Sequence, residues 1–351
     1  MLVGNNRAPV KASSVNYTQT TSQVRGVERG KSSEGNEAAR NWLDGIYATT
    51  KTAIKYPTFQ PVTYSMNYIN HNDAFCIAKA MTEEGNIYGF TKAVDSHLLK
   101  DSEWGAVTYL SQSIYGVNQS DIMVNNINLN SGEKERTNVT GKSGVDSVYA
   151  VTGCTTGSSS AGEAVKTMED INATTGNIPH NGVYTWNQLT GCKASSTGNM
   201  YGVYDLSGGI YEKTSSYIIN QNQNLKINGS SMCYDKDKLR TISTKYTMAY
   251  LVDSHVDNVG ITGEIENLNI ASEANWKKNQ FVYGNGIQET SNGKTGPNAW
   301  RDDSAYYPSL NYPFLVRGGF LWNGPNAGLF YYYRNNGDSL YNNGFRVVLI
   351  P

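Results

Sequence analysis

After Val117 the sequence consists of short runs of tyrosine, valine, isoleucine and threonine, which glycine, asparagine and serine interrupt every few residues. Aromatic and β-branched residues favour strands, and the interrupting residues favour turns. The pattern therefore predicts short strands within long loops over most of the chain. It fits neither a barrel nor a sandwich nor a nucleotide-binding α/β fold, and the fold class that we expect is α+β.

Two helices are predicted before this region. The first spans residues 72–83, where Asn72 or Asp73 would cap the free amides of the first turn and Gly85 would end the helix. The second begins after Lys100, with Asp101 or Ser102 as its cap and Gly116 at its end. Its apolar face would consist of Trp104, Val107, Leu110 and Ile114.

The first 60 residues differ from the rest of the chain. Residues 1–35 are polar, and they lack both the apolar spacing of an amphipathic helix and the alternation of a strand. This is typical of a linker or of an arm that attaches to a neighbouring subunit. Residues 36–56 carry apolar side chains at intervals of three and four, which predicts an amphipathic helix. We therefore divide the chain into an arm with its helix, residues 1–60, and a main domain, residues 61–351.

The charge of the chain limits its partners. The 29 basic and 30 acidic residues leave a net charge of -1, so the electrostatic attraction that dominates nucleic-acid binding is missing. Anionic membranes are disfavoured for the same reason. The sequence also has no apolar run of the roughly 18 residues that a membrane span needs, so we expect no direct membrane insertion.

Metal and cofactor sites have little support in the sequence. The cysteines are Cys76, Cys154, Cys192 and Cys233. They show neither a CxxC motif nor the Cys/His clustering that a zinc site needs. Cys154 and Cys192 each follow Thr-Gly in the sequence. This shared context is compatible with a disulfide between them and also with two free thiols. The histidines form no spacing for a catalytic triad. We expect no cofactor, with a weak calcium site around His255 as the alternative.

Four segments, in this order, carry a family resemblance. They are YINHNDAFCIAKAM at residues 68–81, HLLKDSEWGAVTYLSQSIYG at 97–116, NMYGVYDLSGGIYE at 199–212, and residues 315–349, with VRGG near the start and GFRVVL at the end. Together they resemble the formylglycine-generating-enzyme and sulfatase-modifying family. The resemblance implies a C-type-lectin-like fold of that subtype for residues 61–351. Arg317 and Arg346 are interpreted as structural cations that bind carbonyls or carboxylates such as Glu212 or Glu103.

The resemblance does not extend to catalysis. Formylglycine-generating enzymes bind copper through a cysteine pair between the RGG and GFR phrases, because thiolates are soft ligands for that metal. The corresponding interval here, FLWNGPNAGLFYYYRNNGDSLYNN, contains no cysteine. We therefore expect no enzyme activity and assign no catalytic residue.

The same interval resembles the variable region of proteins that diversity-generating retroelements diversify, with fixed letters in the pattern VRGGxxxxGxxAGxFxxxxxNGxxxxxxGFRVVL. Large aromatic rings among adaptable amides are also typical of binding loops. The resemblance implies a variable region at about residues 317–351 whose side chains project to solvent. Its ligand-contacting residues would be Phe320, Leu321, Trp322, Asn323, Pro325, Tyr331, Tyr333, Asp338, Leu340, Tyr341 and Asn342, with Asn326 and Asn335 less securely assigned.

These observations predict a displayed receptor-binding protein on a phage tail tip or on a bacterial surface. Its location would be the virion surface or the extracellular face of a cell, and its partner a host-surface protein or glycan. The N-terminal arm would attach it to a larger particle or to further copies of itself. The alternatives are a carbohydrate-binding lectin of fixed specificity and an oxidase of the formylglycine type.

Overall fold

The structure is a computed structural model of the chain. It describes residues 59, 61, 65–66, 69–82, 86, 88–127, 150–159, 183–218, 222–229, 231–232, 245–250, 283–287, 289–291, 296–309, 311–340 and 342–351. This part of the chain has an α+β fold with few helices and a mixed sheet, as predicted. The predicted arm and its amphipathic helix, residues 36–56, lie outside the described residues.

Helix α1, His71–Ala80, confirms the first predicted helix, although both of its predicted ends are wrong. Its cap is Asn70, whose side-chain oxygen accepts a hydrogen bond of 2.7 Å from the backbone N–H of Asp73. Since Asn70 already caps the helix, Asp73 lies in the first turn, where a negative charge is favourable.

Helix α2, Asp101–Ser111, confirms the second predicted helix. Its N-cap is Lys100, not Asp101 or Ser102, and the carboxylate of Glu103 accepts a hydrogen bond of 2.8 Å from the backbone N–H of Lys100. The predicted end at Gly116 is wrong, since the helix ends at Ser111. Its predicted apolar face is confirmed at Trp104, which is fully buried, and at Val107, which packs against the core, but it is wrong at Leu110 and Ile114, which are 60% and 79% exposed. The buried face consists of Asp101, Trp104, Gly105, Thr108 and Ser111.

The packing around α2 explains this buried face. The hydroxyl of Tyr250 donates to a carboxylate oxygen of Asp101 at 3.1 Å, so a charged residue is accepted in the interior. At Gly105 a Cβ atom would lie 1.9 Å from the carbonyl oxygen of Gly284. The helix therefore buries small and polar residues beside Trp104, while Leu110 near its end faces outward.

The strands are short, as predicted, and most have two to four residues. A third helix, α3, Gln223–Asn228, was not predicted. The strands are β1, Asp95–Leu98; β2, Cys154–Thr155; β3, Tyr184–Thr185; β4, Tyr211–Ile218; β5, Met248–Tyr250; β6, Gly296–Pro297; β7, Ser304–Ala305; β8, Phe314–Arg317; β9, Tyr332–Asn335; β10, Asn343–Phe345; and β11, Val347–Ile350.

The main sheet has the strand order β10-β4-β8-β9-β7-β6. Strand β8 lies between β4 and β9 and is antiparallel to both. Strands β10 and β5 pair in parallel with opposite ends of β4. The last strand, β11, leaves this sheet and pairs antiparallel with β1, so the end of the chain closes against its first described strand.

A core rich in aromatic residues lies between the sheet and helices α1 and α2. Trp104 is fully buried, which confirms its predicted place in the core, and Phe345 is partly buried against the same cluster. Within the described residues, no helix is long and apolar enough to cross a membrane.

Candidate ligand-binding site

Two glycine pairs join the start of the predicted variable region to an earlier loop. Gly208 and Gly209 have φ angles of +79° and +72°, and Gly318 and Gly319 both have φ of +81°. The N–H of Gly208 donates to the carbonyl of Gly318 at 2.8 Å, and the N–H of Leu321 donates to that of Gly209 at 2.9 Å. We call this arrangement the glycine joint, and it sets the direction in which the variable region leaves β8.

Asp205 holds the loop that contains the first glycine pair. Its carboxylate accepts hydrogen bonds from the N–H of Gly153 at 2.9 Å and from the amide of Asn125 at 2.8 Å. Asn125 in turn accepts a backbone hydrogen bond of 2.6 Å from Gly209. Burial raises the pKa of Asp205 to about 6. These contacts give the turn a structural role.

Arg317 lies at the end of β8, and its guanidinium group is fully buried. It donates to the carbonyls of Asn285 at 3.1 Å and Gly286 at 3.3 Å, and it lies over the Trp104 ring with its carbon 5.5 Å from the ring centroid. Its nearest carboxylate oxygen is on Asp101, at 3.9 Å. The predicted structural role is confirmed, whereas the predicted partner Glu103 pairs with His97 at 2.7 Å.

Arg346 lies between β10 and β11, where the chain leaves the main sheet for the pair that it forms with β1. Its Nε atom donates to the carboxylate of Glu212 at 2.6 Å, and its Nη2 atom contacts the other carboxylate oxygen. Nη2 also donates to the carbonyl of Tyr204 at 2.9 Å. The predicted Arg346–Glu212 pair is confirmed, and it is buried and bidentate.

Asp303 binds the middle of the variable region, a role that the sequence analysis missed. A carboxylate oxygen of this buried residue accepts a hydrogen bond of 2.8 Å from the N–H of Phe330, and burial raises the pKa of Asp303 well above its usual range. A Cβ atom at Gly328 would lie 2.0 Å from the same carboxylate. The fixed AGxF phrase therefore has a structural reason for its glycine.

Four of the predicted contact residues belong to one group of rings, which we call the aromatic cluster: Tyr211, Tyr306, Phe320, Trp322, Tyr331 and Tyr333. Their neighbouring ring centroids lie between 4.6 and 6.4 Å apart. The hydroxyl of Tyr331 donates to that of Tyr211 at 3.3 Å. Tyr211 and Tyr306 were not predicted, because both lie outside the variable region.

The expectation that the variable side chains project to solvent is wrong for Leu321, Tyr331 and Phe320. Leu321 is 0% exposed, Tyr331 is 1% exposed and Phe320 is 5% exposed. Phe320 and Leu321 pack with Ile210 and Ala150 in a small apolar cluster of their own. Burial in this cluster removes apolar surface from water, so these side chains support the face from below.

The remaining predicted residues reach solvent to different degrees. Pro325 and Leu340 are exposed, and Trp322, Asn323, Tyr333, Asp338 and Asn342 are half-buried. Asn326 is also half-buried, Asn335 is buried, and Tyr341 lies outside the described residues.

Two of the half-buried polar residues take part in local hydrogen bonds. The side-chain oxygen of Asn323 accepts a bond of 2.7 Å from the N–H of Phe320, which closes a turn. The carboxylate of Asp338 accepts bonds from the amides of Asn228 at 3.1 Å and Asn336 at 2.6 Å. Their roles as ligand contacts remain predictions.

The cysteines that the structure describes are free thiols, so the alternative of a Cys154–Cys192 disulfide is wrong. Burial raises the pKa of both Cys76 and Cys154, which disfavours the reactive thiolate. Among the described residues, no group of three or more His, Cys, Asp or Glu side chains is placed to hold a metal ion. Cys233 and the weak calcium site considered around His255 lie outside that part of the chain.

Comparison with known proteins gives no family for the chain. No protein-family model matches it, and no curated protein is significantly similar to it in sequence.

Proposed function

We propose that this chain is a displayed ligand-binding protein. Its main domain would have a C-type-lectin-like fold of the formylglycine-generating-enzyme subtype, and its C-terminal region would be a variable binding face. The observation that carries the proposal is the aromatic cluster, which gathers Phe320, Trp322, Tyr331 and Tyr333 in one place. Aromatic rings next to asparagine side chains supply large contact area and adaptable hydrogen bonds.

The contacts of the fixed residues support a division of the domain into two parts. The frame consists of the residues that the retroelement pattern keeps constant, and the face consists of the exposed residues that the pattern leaves free. Arg317, Arg346 and Gly319 belong to the letters that the retroelement pattern keeps constant, and all three are buried. By contrast, Trp322, Pro325 and Leu340 occupy positions that the pattern leaves free, and each reaches solvent. A protein that tolerates substitution at its face needs a frame whose stability does not depend on the substituted residues.

The proposed setting is the surface of a phage tail tip or of a bacterial cell. The partner would be a host-surface protein or glycan, with residues 1–60 as the attachment arm. A lectin of fixed specificity is the second candidate, since the aromatic cluster would serve it equally well. A formylglycine-type oxidase is disfavoured, because the interval between RGG and GFR lacks the cysteine pair of that family.

A binding assay tests the proposal. The fluorescently labelled full chain is applied to a panel of intact bacterial strains and to a printed glycan array. We expect saturable binding to at least one surface, and we expect the Trp322→Ser/Tyr333→Ser double variant to bind at least about tenfold more weakly, since aromatic anchors commonly contribute about 2 kcal/mol each. The control is Tyr201→Ser, at a tyrosine that is 80% exposed and outside the aromatic cluster. Equal binding by the double variant and the wild type would contradict the proposal.

The encoding genome separates the two candidates. A diversified face requires a reverse-transcriptase gene nearby and an imperfect copy of the last hundred or so bases of the coding sequence. A fixed lectin requires neither. If the assay succeeds and both genomic features are missing, the chain is a binding protein but not a retroelement target.

A further inference from the structure

Two tyrosines outside the variable region complete the aromatic cluster. Tyr211 begins β4, and its ring centroid lies 5.8 Å from that of Tyr331 and 6.2 Å from that of Tyr333. Tyr306 follows β7, and its ring centroid lies 4.6 Å from that of Tyr333. Both residues are half-buried, so part of each side chain reaches solvent beside the variable residues. The face is therefore built jointly by variable and fixed positions.

Within the part of the chain that the structure describes, the groups that act on the buried Tyr331 are other tyrosines. The groups that raise the pKa of Tyr331, besides burial, are the tyrosines at 211, 306 and 333. A cation, Arg334, acts on Tyr333, but its guanidinium carbon lies over the ring of Tyr312 at 5.5 Å. A charged ligand would lose its hydration here without gaining a close counter-charge, which is costly. A neutral partner is therefore favoured.

The rings of the cluster reach solvent only in part. Phe320 and Tyr331 lie beneath it, and Trp322 and Tyr333 are themselves half-buried. A protein partner would need about 800 Å² of surface on each side, whereas small ligands bind recessed apolar sites with a few polar groups. Asn342 lies next to the rings, since its backbone carbonyl accepts a hydrogen bond of 2.9 Å from the backbone N–H of Tyr211, and it carries a side-chain amide.

A neutral sugar matches both properties. The C–H bonds on one face of a pyranose ring are weakly positive and pack against the negative face of an aromatic ring. Its hydroxyl groups both donate and accept hydrogen bonds, as phenols and amides do. We propose that the aromatic cluster binds a neutral pyranose unit, with Tyr211 and Tyr306 as contact residues that diversification leaves unchanged. This inference rests on the proposed binding function.

The test uses the full chain on an array of neutral hexose and N-acetylhexosamine oligosaccharides, with their sialylated counterparts printed beside them. We expect binding to at least one neutral oligosaccharide. Tyr306→Ala and Tyr211→Ala should each weaken it about tenfold or more. Tyr211→Phe keeps the ring and should retain more binding than Tyr211→Ala, and a thermal melt of each variant checks its fold. Tyr115→Ala, at a tyrosine that is 79% exposed and outside the cluster, is the control.

Each outcome separates this inference from the proposed function. Binding to no oligosaccharide, or only to sialylated ones, would overturn the neutral-sugar inference. A second result would also overturn it: binding to cells that is abolished by protease treatment of the cells but unaffected by periodate oxidation of their glycans. In that case the proposed function would stand, with a protein as the partner. Wild-type binding by folded Tyr211→Ala and Tyr306→Ala would overturn their contact role. Only a failure of the Trp322→Ser/Tyr333→Ser variant to change binding to any surface would count against the proposed function itself.

Discussion

Lys213 is a buried cation that binds the backbone of the variable region. Its ammonium group donates to the carbonyl of Asp338 at 3.0 Å and to the side-chain oxygen of Asn335 at 3.4 Å. It also contacts Nδ1 of His71 at 3.2 Å, while Nε2 of that ring contacts the carbonyl of Leu315 at 3.3 Å. The ring therefore carries its proton on Nε2 and accepts from Lys213 at Nδ1. Burial lowers the pKa of Lys213 to about 7.

This lowered pKa predicts a pH dependence of stability. In the unfolded chain a lysine has a pKa of about 10.4, so between about pH 7 and pH 10 the unfolded chain binds more protons at Lys213 than the folded protein does. The contribution of Lys213 to the free energy of unfolding therefore becomes more favourable as pH rises through this window.

Denaturant unfolding of the wild type and of Lys213→Met at pH 7 and pH 9.5 measures this contribution. The buried carboxyl groups contribute to the pH dependence of both proteins, so their contributions largely cancel when the two free energies of unfolding are subtracted. We expect the wild type to gain stability relative to the variant at the higher pH. An unchanged difference between the two pH values would show that Lys213 is not desolvated.

The buried pair of Arg346 and Glu212 gives a second prediction at this scale. Arg346→Gln leaves the carboxylate of Glu212 buried without its charge partner, which typically costs about 3 to 5 kcal/mol. The double variant Glu212→Gln/Arg346→Gln removes both charges and should cost less than the single one. Equilibrium unfolding measures both free energies. A single variant within about 1 kcal/mol of the wild type would mean that the pair does not hold the two sheets together.

Among the structural elements, the glycine joint is the connection on which the variable region depends. At Gly319 a Cβ atom would lie 2.6 Å from the Cβ of Ala327, and at Gly208 it would lie 2.2 Å from the carbonyl oxygen of Asn125. Both residues also have a left-handed backbone. Close approach and backbone conformation thus both require glycine.

Gly89 separates these two requirements. Its φ is +72°, and apart from its chain neighbours no described residue has an atom within 4 Å of the position that a Cβ atom would take there. Gly89→Ala should therefore cost only the left-handed strain, about 1 to 2 kcal/mol. Gly319→Ala should add an overpacking cost of about 1 to 3 kcal/mol. Equal melting temperatures for the two variants would contradict the close approach at the joint.

The sequence predicted the existence of both early helices more accurately than their ends or faces. Apolar spacing is a local property, so residues 72–83 and the segment after Lys100 could be recognised directly. The buried side of α2 could not, because it depends on Gly284 and Tyr250, which approach from far along the chain. Apolar periodicity predicted the burial of Trp104, whereas tertiary contacts placed the small and polar residues beside it.

The candidate site was predictable where its residues are close in sequence. The interval between Phe320 and Asn342 could be recognised as one unit, and so could the structural roles of Arg317 and Arg346. Tyr211, Tyr306 and Asp303 could not be assigned to it. The pairing of β4 with β10 and of β7 with β9 brings the two tyrosines there, and a side-chain hydrogen bond to Phe330 brings Asp303. The burial of Leu321 was missed because alternation along a strand does not apply to a segment that leaves the sheet through a turn.

At the scale of the whole molecule, the variable region is held at both ends by fixed structure. It begins at β8, in the middle of the main sheet, and it ends at β11, which pairs with β1. Between these ends, Asp303 and Lys213 bind its backbone through Phe330 and Asp338. Substitution of exposed side chains between these contacts therefore leaves the path of the chain supported.

The most direct test of this account measures stability and binding on the same samples. The Trp322→Ser/Tyr333→Ser variant and Arg317→Ala are compared with the wild type by chemical denaturation and by titration onto the cells that the wild type binds. We predict that the double variant loses binding while its free energy of unfolding falls by less than about 2 kcal/mol. Arg317→Ala should lose about 3 kcal/mol or more, because it leaves Asp101 buried without its cation. A double variant that unfolds, or an Arg317→Ala protein as stable as the wild type, would contradict the separation of frame from face.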